Sequence, residues 1–306
     1  MSTEGSTKAI LAALAANAGI AVAKFVGFLI TRSSSMLAES VHSVADTSNQ
    51  ALLLLGQRRA RKQADQLHPV GYGRSRYFYS FVVALVLFSL GSLFALYEGY
   101  HKISHPEPLK SPLVAIAILV VAIALESFSL RTAIVESRPH KGSGSWWRFI
   151  RTSRTPELPV VLLEDLGALV GLVLAFIGVG LTILTDNAVW DGIGTVGIGV
   201  LLGVIAVILI VEMHSLLIGE GATGYEERAI LAALEETPHI DRVIHLRTQY
   251  LGPEEMLVGA KIAVGPDIDL AVVARVIDDA EARMRAAVPA ARVIYLEPDL
   301  DRALTK

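Results

Sequence analysis

The sequence predicts an all-α six-helix transmembrane bundle followed by a C-terminal cytosolic α+β ferredoxin-like (αββαβ) domain. Three observations predict it. Six long apolar runs follow one another up to about residue 218, basic residues gather in alternate short loops, and beyond about residue 220 hydropathy drops and soluble periodicities take over. The 306-residue chain is 53% apolar and 19% charged, with a mean hydropathy of +0.52, which is too apolar for an ordinary soluble domain. Its formal net charge of −3 offers no basic field for nucleic acid. The absence of cysteine excludes disulfides, iron–sulfur clusters and thiolate metal sites together.

The six runs cover roughly 9–31, 35–57, 77–101, 111–135, 158–184 and 190–218. Each is long enough to cross about 30 Å of hydrocarbon at 1.5 Å per residue. They set the expected domains, a membrane part over 1–219 and a cytosolic part over 220–306. The opening "MSTEGSTKAILAALAANAGI" lacks a basic n-region, a clear cleavage site and the arginines of a transit peptide. It reads as a short cytosolic tail entering a first span. The 58–76 loop holds Arg58, Arg59, Arg61, Lys62, Arg74 and Arg76, and the 131–154 loop holds Arg131, Arg138, Lys141, Arg148, Arg151 and Arg154. The intervening loops are poor in positive charge. The rich loops and both termini are therefore expected on the cytoplasmic side.

The tail has a readable order. "GYEERAILAALEETP" is helical, with Ile230, Leu231 and Leu234 apolar and a stop at Pro238. "DRVIHLRTQYL" and "EEMLVGAKIAV" read as strands separated by the turn signal Gly252-Pro253. "DLAVVARVIDDAEARMRAAV" is an amphipathic helix and "ARVIYLEP" a final strand.

Ionisable groups at membrane depth are costly and usually face a bundle interior or an aqueous path. In the second run Glu39, His42, Asp46 and Asn49 are spaced 3, 4 and 3 residues apart, which makes one stripe on one helix face. His42 and Asp46, at i and i+4, suit Zn²⁺ or its first-row neighbours. The alternative is a helix–helix hydrogen-bond seam. The fifth run brings Glu164 and Asp165. Asp165 lies about 12 Å, and Asp46 about 15 Å, from the cytoplasmic side, so the two meet at similar depth. Glu164 and Asp165 differ by about 100° around the helix, so one is expected to ligate and the other to neighbour it. Gly167, Ala168 and Gly171 would let this helix approach another closely. Asn17 either faces the same centre or bonds across helices. Glu126, Glu212 and His214 are expected to snorkel or sit at the interface. Glu98, His101 and His105 fall near the outer end of the third run and its loop, where a solvated loop is expected and a vestibule is the alternative.

Several stretches carry a resemblance. "SSSMLAESVHSVADTSNQALLLLG", with an HxxxD pattern at His42 and Asp46, and "DQLHPVGYGRSRYF" are similar to the second span and third-span approach of the cation diffusion facilitators. "VIHLRTQYLGPEEMLVGAKIAV" and "ARVIYLEP" resemble their C-terminal strands. "WWRFIRTSRTPELPVVLLEDLGALVGL" resembles most the branch containing the mitochondrial zinc transporter. The resemblance implies a homodimeric divalent-metal/proton antiporter. It also implies a second HxxxD on the fifth span, but Val161 stands where its histidine would be. The implied ligands are His42, Asp46 and Asp165, completed by Glu164, Asn49, Asn17 or water. That oxygen-rich set leaves Mn²⁺, Co²⁺ and Fe²⁺ open beside Zn²⁺.

Some family members hold a metal in the loop between spans two and three. Asp65 and His68 match, while Tyr72 replaces a further histidine, so no strong site is expected there. Others bind zinc in the tail, where the matching positions read Ile244, Lys261, Ala274 and Tyr295, leaving His239 and His245 unmatched. The tail is expected to dimerise by packing alone, without a structural metal.

The function expected is proton-coupled efflux of a divalent metal from the cytoplasm by alternating access, with no prosthetic group. The expected partners are the bilayer, a second copy, metal ions and protons. A metal-selective channel, a metal-dependent membrane enzyme and a signalling sensor are the rivals. The expected membrane is a prokaryotic inner membrane.

Overall fold

The computed structural model describes residues 18–300, and Asn17 lies outside the described residues. By contacts the chain groups into two compact units. One holds the described residues up to Gln57 together with Phe78–Met213. The other holds Arg58–Tyr77 together with the described residues from His214 onward.

The first unit is helical. Helix α1 (Ala18–Thr31) is the described part of the expected first run. Helix α2 (Ser34–Ala60) follows after two residues. Helix α3 spans Ser75–Ser104 and contains one π-helical stretch, Leu87–Leu93. Helix α4 (Pro112–Lys141) starts with proline in its first turn, where a missing N–H costs nothing. It runs six residues beyond the expected end at 135 and stops at Gly142, whose φ of 55° few other residues adopt. A short helix that the sequence reading took for loop, α5 (Trp146–Thr152), follows. Ser145 caps it by accepting from Arg148 N at 3.1 Å. Helices α6 (Glu157–Thr185) and α7 (Val189–Ile218) complete the unit.

Four of these helices, α3, α4, α6 and α7, are long and apolar enough to cross a membrane among the described residues. The second run, α2, falls outside that set. Helix α2 is long enough, but its acids, amides and hydroxyls lower its hydropathy below that of the four. Those groups lie mostly inside: Glu39, Ser40, His42, Ser43 and Asn49 are buried.

Glycines let the helices close. A Cβ on Gly99 of α3 would stand 2.7 Å from the backbone nitrogen of Val196 on α7, so only hydrogen fits there. The α2 N-terminus is tied across the unit to Asp191 in the first turn of α7. That buried carboxylate accepts from Ser34 N at 2.8 Å, Ser33 Oγ at 2.9 Å and Ser35 Oγ at 2.6 Å. An acid from another helix thus satisfies the free N–H groups of α2 and complements its dipole.

In the second unit, α8 (Gly224–Glu235) opens with a reciprocal capping box between Thr223 and Glu226. Strands β1 (Arg242–Gly252) and β2 (Glu255–Ala263) pair antiparallel. Helix α9 (Leu270–Ala287) carries the chain back to β3 (Ala291–Asp299), which pairs parallel with β2, giving the sheet order β1-β2-β3. Ile230 and Leu234 of α8, Met256, Val258 and Ile262 of β2 and Met284 of α9 are fully buried in one core, while Leu231 is only half-buried. The Arg58–Tyr77 segment packs on the β1–β2 turn. A Cβ on Gly73 would stand 2.7 Å from the Leu251 carbonyl oxygen, and Arg76 pairs with Glu254 at 3.6 Å.

Candidate metal centre

The stripe on α2 arises because its polar residues recur at helical spacing along one buried face. Its members have different partners. Glu39 pairs with Lys24 of α1, Nζ to Oε2, at 3.2 Å. Gly171 of α6 leaves room for it, since a Cβ there would come within 2.7 Å of Glu39 Oε1. His42 Nδ1 is 3.6 Å from Asp46 Oδ1, and neither ring nitrogen makes a hydrogen bond. Asp46 Oδ1 is likewise buried without a hydrogen-bond partner, and Asp46 and Glu164 line the same cavity. Asn49 Nδ2 donates to Glu164 Oε1 at 3.1 Å.

Asp165 turns elsewhere. It accepts from Ser129 Oγ of α4 at 3.0 Å. The turn of about 100° between adjacent helical residues therefore sends Glu164 to α2 and Asp165 to α4. Asp46, Glu126, Glu164 and Asp165 nevertheless line one cavity of about 300 Å³, together with Ser43, Ser129 and Val161. His42 does not line it and sits behind Asp46. Among the described residues no group of three or more His, Asp or Glu side chains is arranged to hold a metal ion. The structure thus gathers Asp46, Glu164 and Asp165 around one space, leaves His42 one step back, and commits Asn49 to Glu164.

Two residues of this neighbourhood escaped the sequence reading. Glu126 was expected at the interface, but α4 extends to Lys141 and puts it at mid-helix facing the cavity. Lys24 drew no attention, although a lone lysine between apolar residues of a first run is itself the signal. Its ammonium bonds Ser43 Oγ at 2.8 Å as well as Glu39, and lies 3.9 Å from Glu126 Oε1. Glu212, expected at the interface, pairs with Arg151 at 3.1 Å. His101 and His105 stack on one another with ring centroids 5.1 Å apart.

The two secondary candidates hold ammonium groups. In the 58–77 segment Asp65 accepts from Tyr72 OH at 2.6 Å, from His68 N at 2.8 Å and from Lys62 Nζ at 3.1 Å. The Tyr72 hydroxyl above all, then the His68 amide and the Lys62 ammonium, hold its carboxyl well below the ordinary carboxylate range. The Lys62 ammonium is pushed up by Tyr72 and then Asp65. In the tail Lys261 Nζ bonds Asp299 at 2.9 Å and Glu297 at 3.0 Å, and these two push its ammonium up in the same order.

Residues 10–218 match the family described as "Cation efflux transmembrane domain", and residues 223–299 match "Cation efflux protein, cytoplasmic domain". The chain is 32% identical over 275 residues to a mouse (Mus musculus) protein named "Proton-coupled zinc antiporter SLC30A9, mitochondrial", covering 89% of this chain and 48% of that one. It is 30% identical over 261 residues to "Metal tolerance protein C4" of Arabidopsis thaliana, covering 84% and 57%. It is 23% identical over 292 residues to "Magnetosome protein MamB" of Magnetospira sp. (strain QH-2), covering 92% and 90%. The chain thus spans about half the length of the first of these relatives. Among solved structures, "MamM-CTD 215-293" is 20% identical over 24% of this chain and 94% of its own, with a TM-score of 0.24, too low to carry a structural argument. The expected prokaryotic inner membrane gains no support from relatives whose printed names place them in mitochondria.

Proposed function

Because the chain belongs to the cation efflux family, the cation diffusion facilitators, we propose that it is a proton-coupled divalent-metal antiporter and not an enzyme. Zn²⁺ is its first cargo, with Mn²⁺, Co²⁺ and Fe²⁺ open to it. The observation that carries the reading is the cavity in which Asp46 of α2 and Glu164 and Asp165 of α6 meet, with His42, whose ring nitrogens make no hydrogen bond, 3.6 Å from Asp46. His42, Asp46 and Asp165 are the direct ligands, and Glu164, Asn49 or Asn17 completes the set.

The resting contacts suggest the coupling. Ligands must be deprotonated to bind a metal, so an entering cation displaces the protons that the cavity's carboxyls carry. Asp165 leaves Ser129 and the His42 ring turns past Asp46 to reach the ion. Protonation from the opposite side then releases the metal, and the helices carrying the site rock to alternate access. That the mouse relative is named a proton-coupled zinc antiporter supports zinc as cargo and protons as the coupled ion.

Helices α1, α2, α3, α4, α6 and α7 make six spans, with the membrane domain over 1–219 and both termini cytoplasmic. Residues 220–306 form a ferredoxin-like cytosolic domain that dimerises by packing, without a structural metal. The test is a reconstituted vesicle carrying a pH gradient. Metal-dependent proton movement is expected, and Asp46→Ala should abolish uptake while the dimer survives. Metal flux that ignores the proton gradient would sink the antiporter reading.

A further inference from the structure

The cavity's acids do not stand alone, because an internal cation lies behind its wall. Lys24 is 1% exposed on α1. Two of its three N–H groups are committed, to Glu39 Oε2 at 3.2 Å and to Ser43 Oγ at 2.8 Å, both on α2. The ammonium then lies 3.9 Å from Glu126 Oε1 on α4, beyond hydrogen-bond reach but close enough for strong attraction across a buried gap. Ser43 and Glu126 line the cavity and Lys24 does not. Glu39 balances the Lys24 charge at 3.2 Å, so what reaches the cavity is the ammonium's pull on Glu126.

The anchoring matters. A lysine stem is flexible, and a free ammonium would swing into the acid-lined space and occupy it. Glu39, fully buried, holds it back and itself needs Lys24, since an unpaired buried carboxylate is costly. Glu126 differs. Its side chain is 14% exposed and faces the cavity, so an arriving cation competes with Lys24 for it.

We propose that Lys24 is a positioning residue that sets the cavity's preference for divalent over monovalent cations, through its hold on Glu126. The proposal rests on the reading of this cavity as a metal site. A cation's attraction to the cavity scales with its charge. By holding Glu126 the ammonium withdraws one carboxylate from a monovalent ion, which has few ligand bonds to add and loses its hold first. Such an ion also offers Glu126 no more charge than Lys24 already does. A divalent ion offers twice as much, draws Glu126 from Lys24, and is held in addition by the carboxyl and imidazole ligands.

The test is equilibrium Zn²⁺ binding by the full chain in detergent, compared in sodium chloride and in N-methylglucamine chloride at equal ionic strength. Wild type should bind Zn²⁺ equally in both. The paired variant Lys24→Gln/Glu39→Gln removes the ammonium without stranding a buried carboxylate. Its apparent Zn²⁺ affinity should fall about tenfold in sodium relative to N-methylglucamine. Equal affinity in the two salts would show a purely structural lysine and overturn the proposal. Lys24→Arg should restore indifference to sodium. Should the paired variant fail to assemble, Glu126→Gln keeps the Lys24–Glu39 pair. It should weaken Zn²⁺ binding about tenfold with no sensitivity to sodium, and unchanged Zn²⁺ affinity there overturns the proposal equally. A wild type that binds no Zn²⁺ overturns both this inference and the metal-site reading. Zn²⁺ binding without proton-coupled flux removes the transport reading alone.

Discussion

Val161 faces the same cavity as Asp46 and Asp165, so its side chain bears directly on which metal fits. A second imidazole there would shift the donor set towards nitrogen, which favours Zn²⁺ over Mn²⁺. Val161→His is expected to raise the Zn²⁺-to-Mn²⁺ uptake ratio about tenfold, measured by metal competition in vesicles, and an unchanged ratio would remove Val161 from the site. A second residue-scale expectation concerns Asp65, on the surface yet held down chiefly by the Tyr72 hydroxyl. A carboxyl with a depressed folded-state value contributes stability that is present above its unfolded value of about 3.9 and lost as pH falls through the folded value. Tyr72→Phe should move the Asp65 midpoint up towards the ordinary value, read by carboxyl ¹³C NMR, and an unmoved midpoint would mean that Tyr72 is not the cause. The pattern of His42, Asp46 and Asn49 was readable from spacing alone, because a helical period turns sequence intervals into a face. Lys24 and Glu126 were not placed so easily. Their roles depend on which neighbouring helix they meet, and apolar runs give a depth but no rotation.

Helix α2 carries much of the candidate centre, and its position depends on how it starts. Its first backbone N–H groups are satisfied by Asp191 of α7, with Ser33, Ser34 and Ser35 all bonding one carboxylate. Asp191→Ala would leave buried donors without their acceptor. By the usual cost of a lost cap and unsatisfied buried groups it should destabilise the protein by about 3 kcal/mol. The loss should appear as a lower unfolding temperature in detergent, whereas Glu136→Ala, at an exposed position of α4, serves as the control. An equal effect from both would show that the Ser–Asp cluster is not what holds α2. The "SSS" run announces a helix start to any reader, and the acid that completes the cap lies more than a hundred and fifty positions away. Element existence was therefore legible, while the tie between α2 and α7 was not. The short helix α5 was missed for a different reason. At seven residues it has too few turns to show a period, and only its Ser145 cap marks it.

On the scale of the whole molecule, the drop in hydropathy near residue 220 revealed a membrane part and a tail, since burial in lipid and burial in a small core demand different compositions. It gave no sign that Arg58–Tyr77 packs with the tail. That grouping rests on Gly73 meeting the Leu251–Gly252 backbone, a contact between distant glycines that has no periodic trace. The tail's own stability has a source visible in both sequence and structure. Ile230, Leu234, Met256, Val258, Ile262 and Met284 form a buried core shared by both helices and the central strand. Where a structural metal would need free acids, Asp299 and Glu297 already share the Lys261 ammonium. A core of this kind draws its stability from apolar burial, which no chelator reaches. The separately expressed tail, residues 220–306, should therefore keep its unfolding temperature when a strong chelator is added, and should sediment as a dimer in its presence. A fall of about 5 °C or more on chelation would correspond to roughly 1 kcal/mol for a domain of this size and would show a metal stabilising the fold. Lys261→Ala then separates the two sources. It frees Asp299 and Glu297, so any metal dependence that appears only in that variant identifies the lysine as the cation that holds these acids in the natural chain.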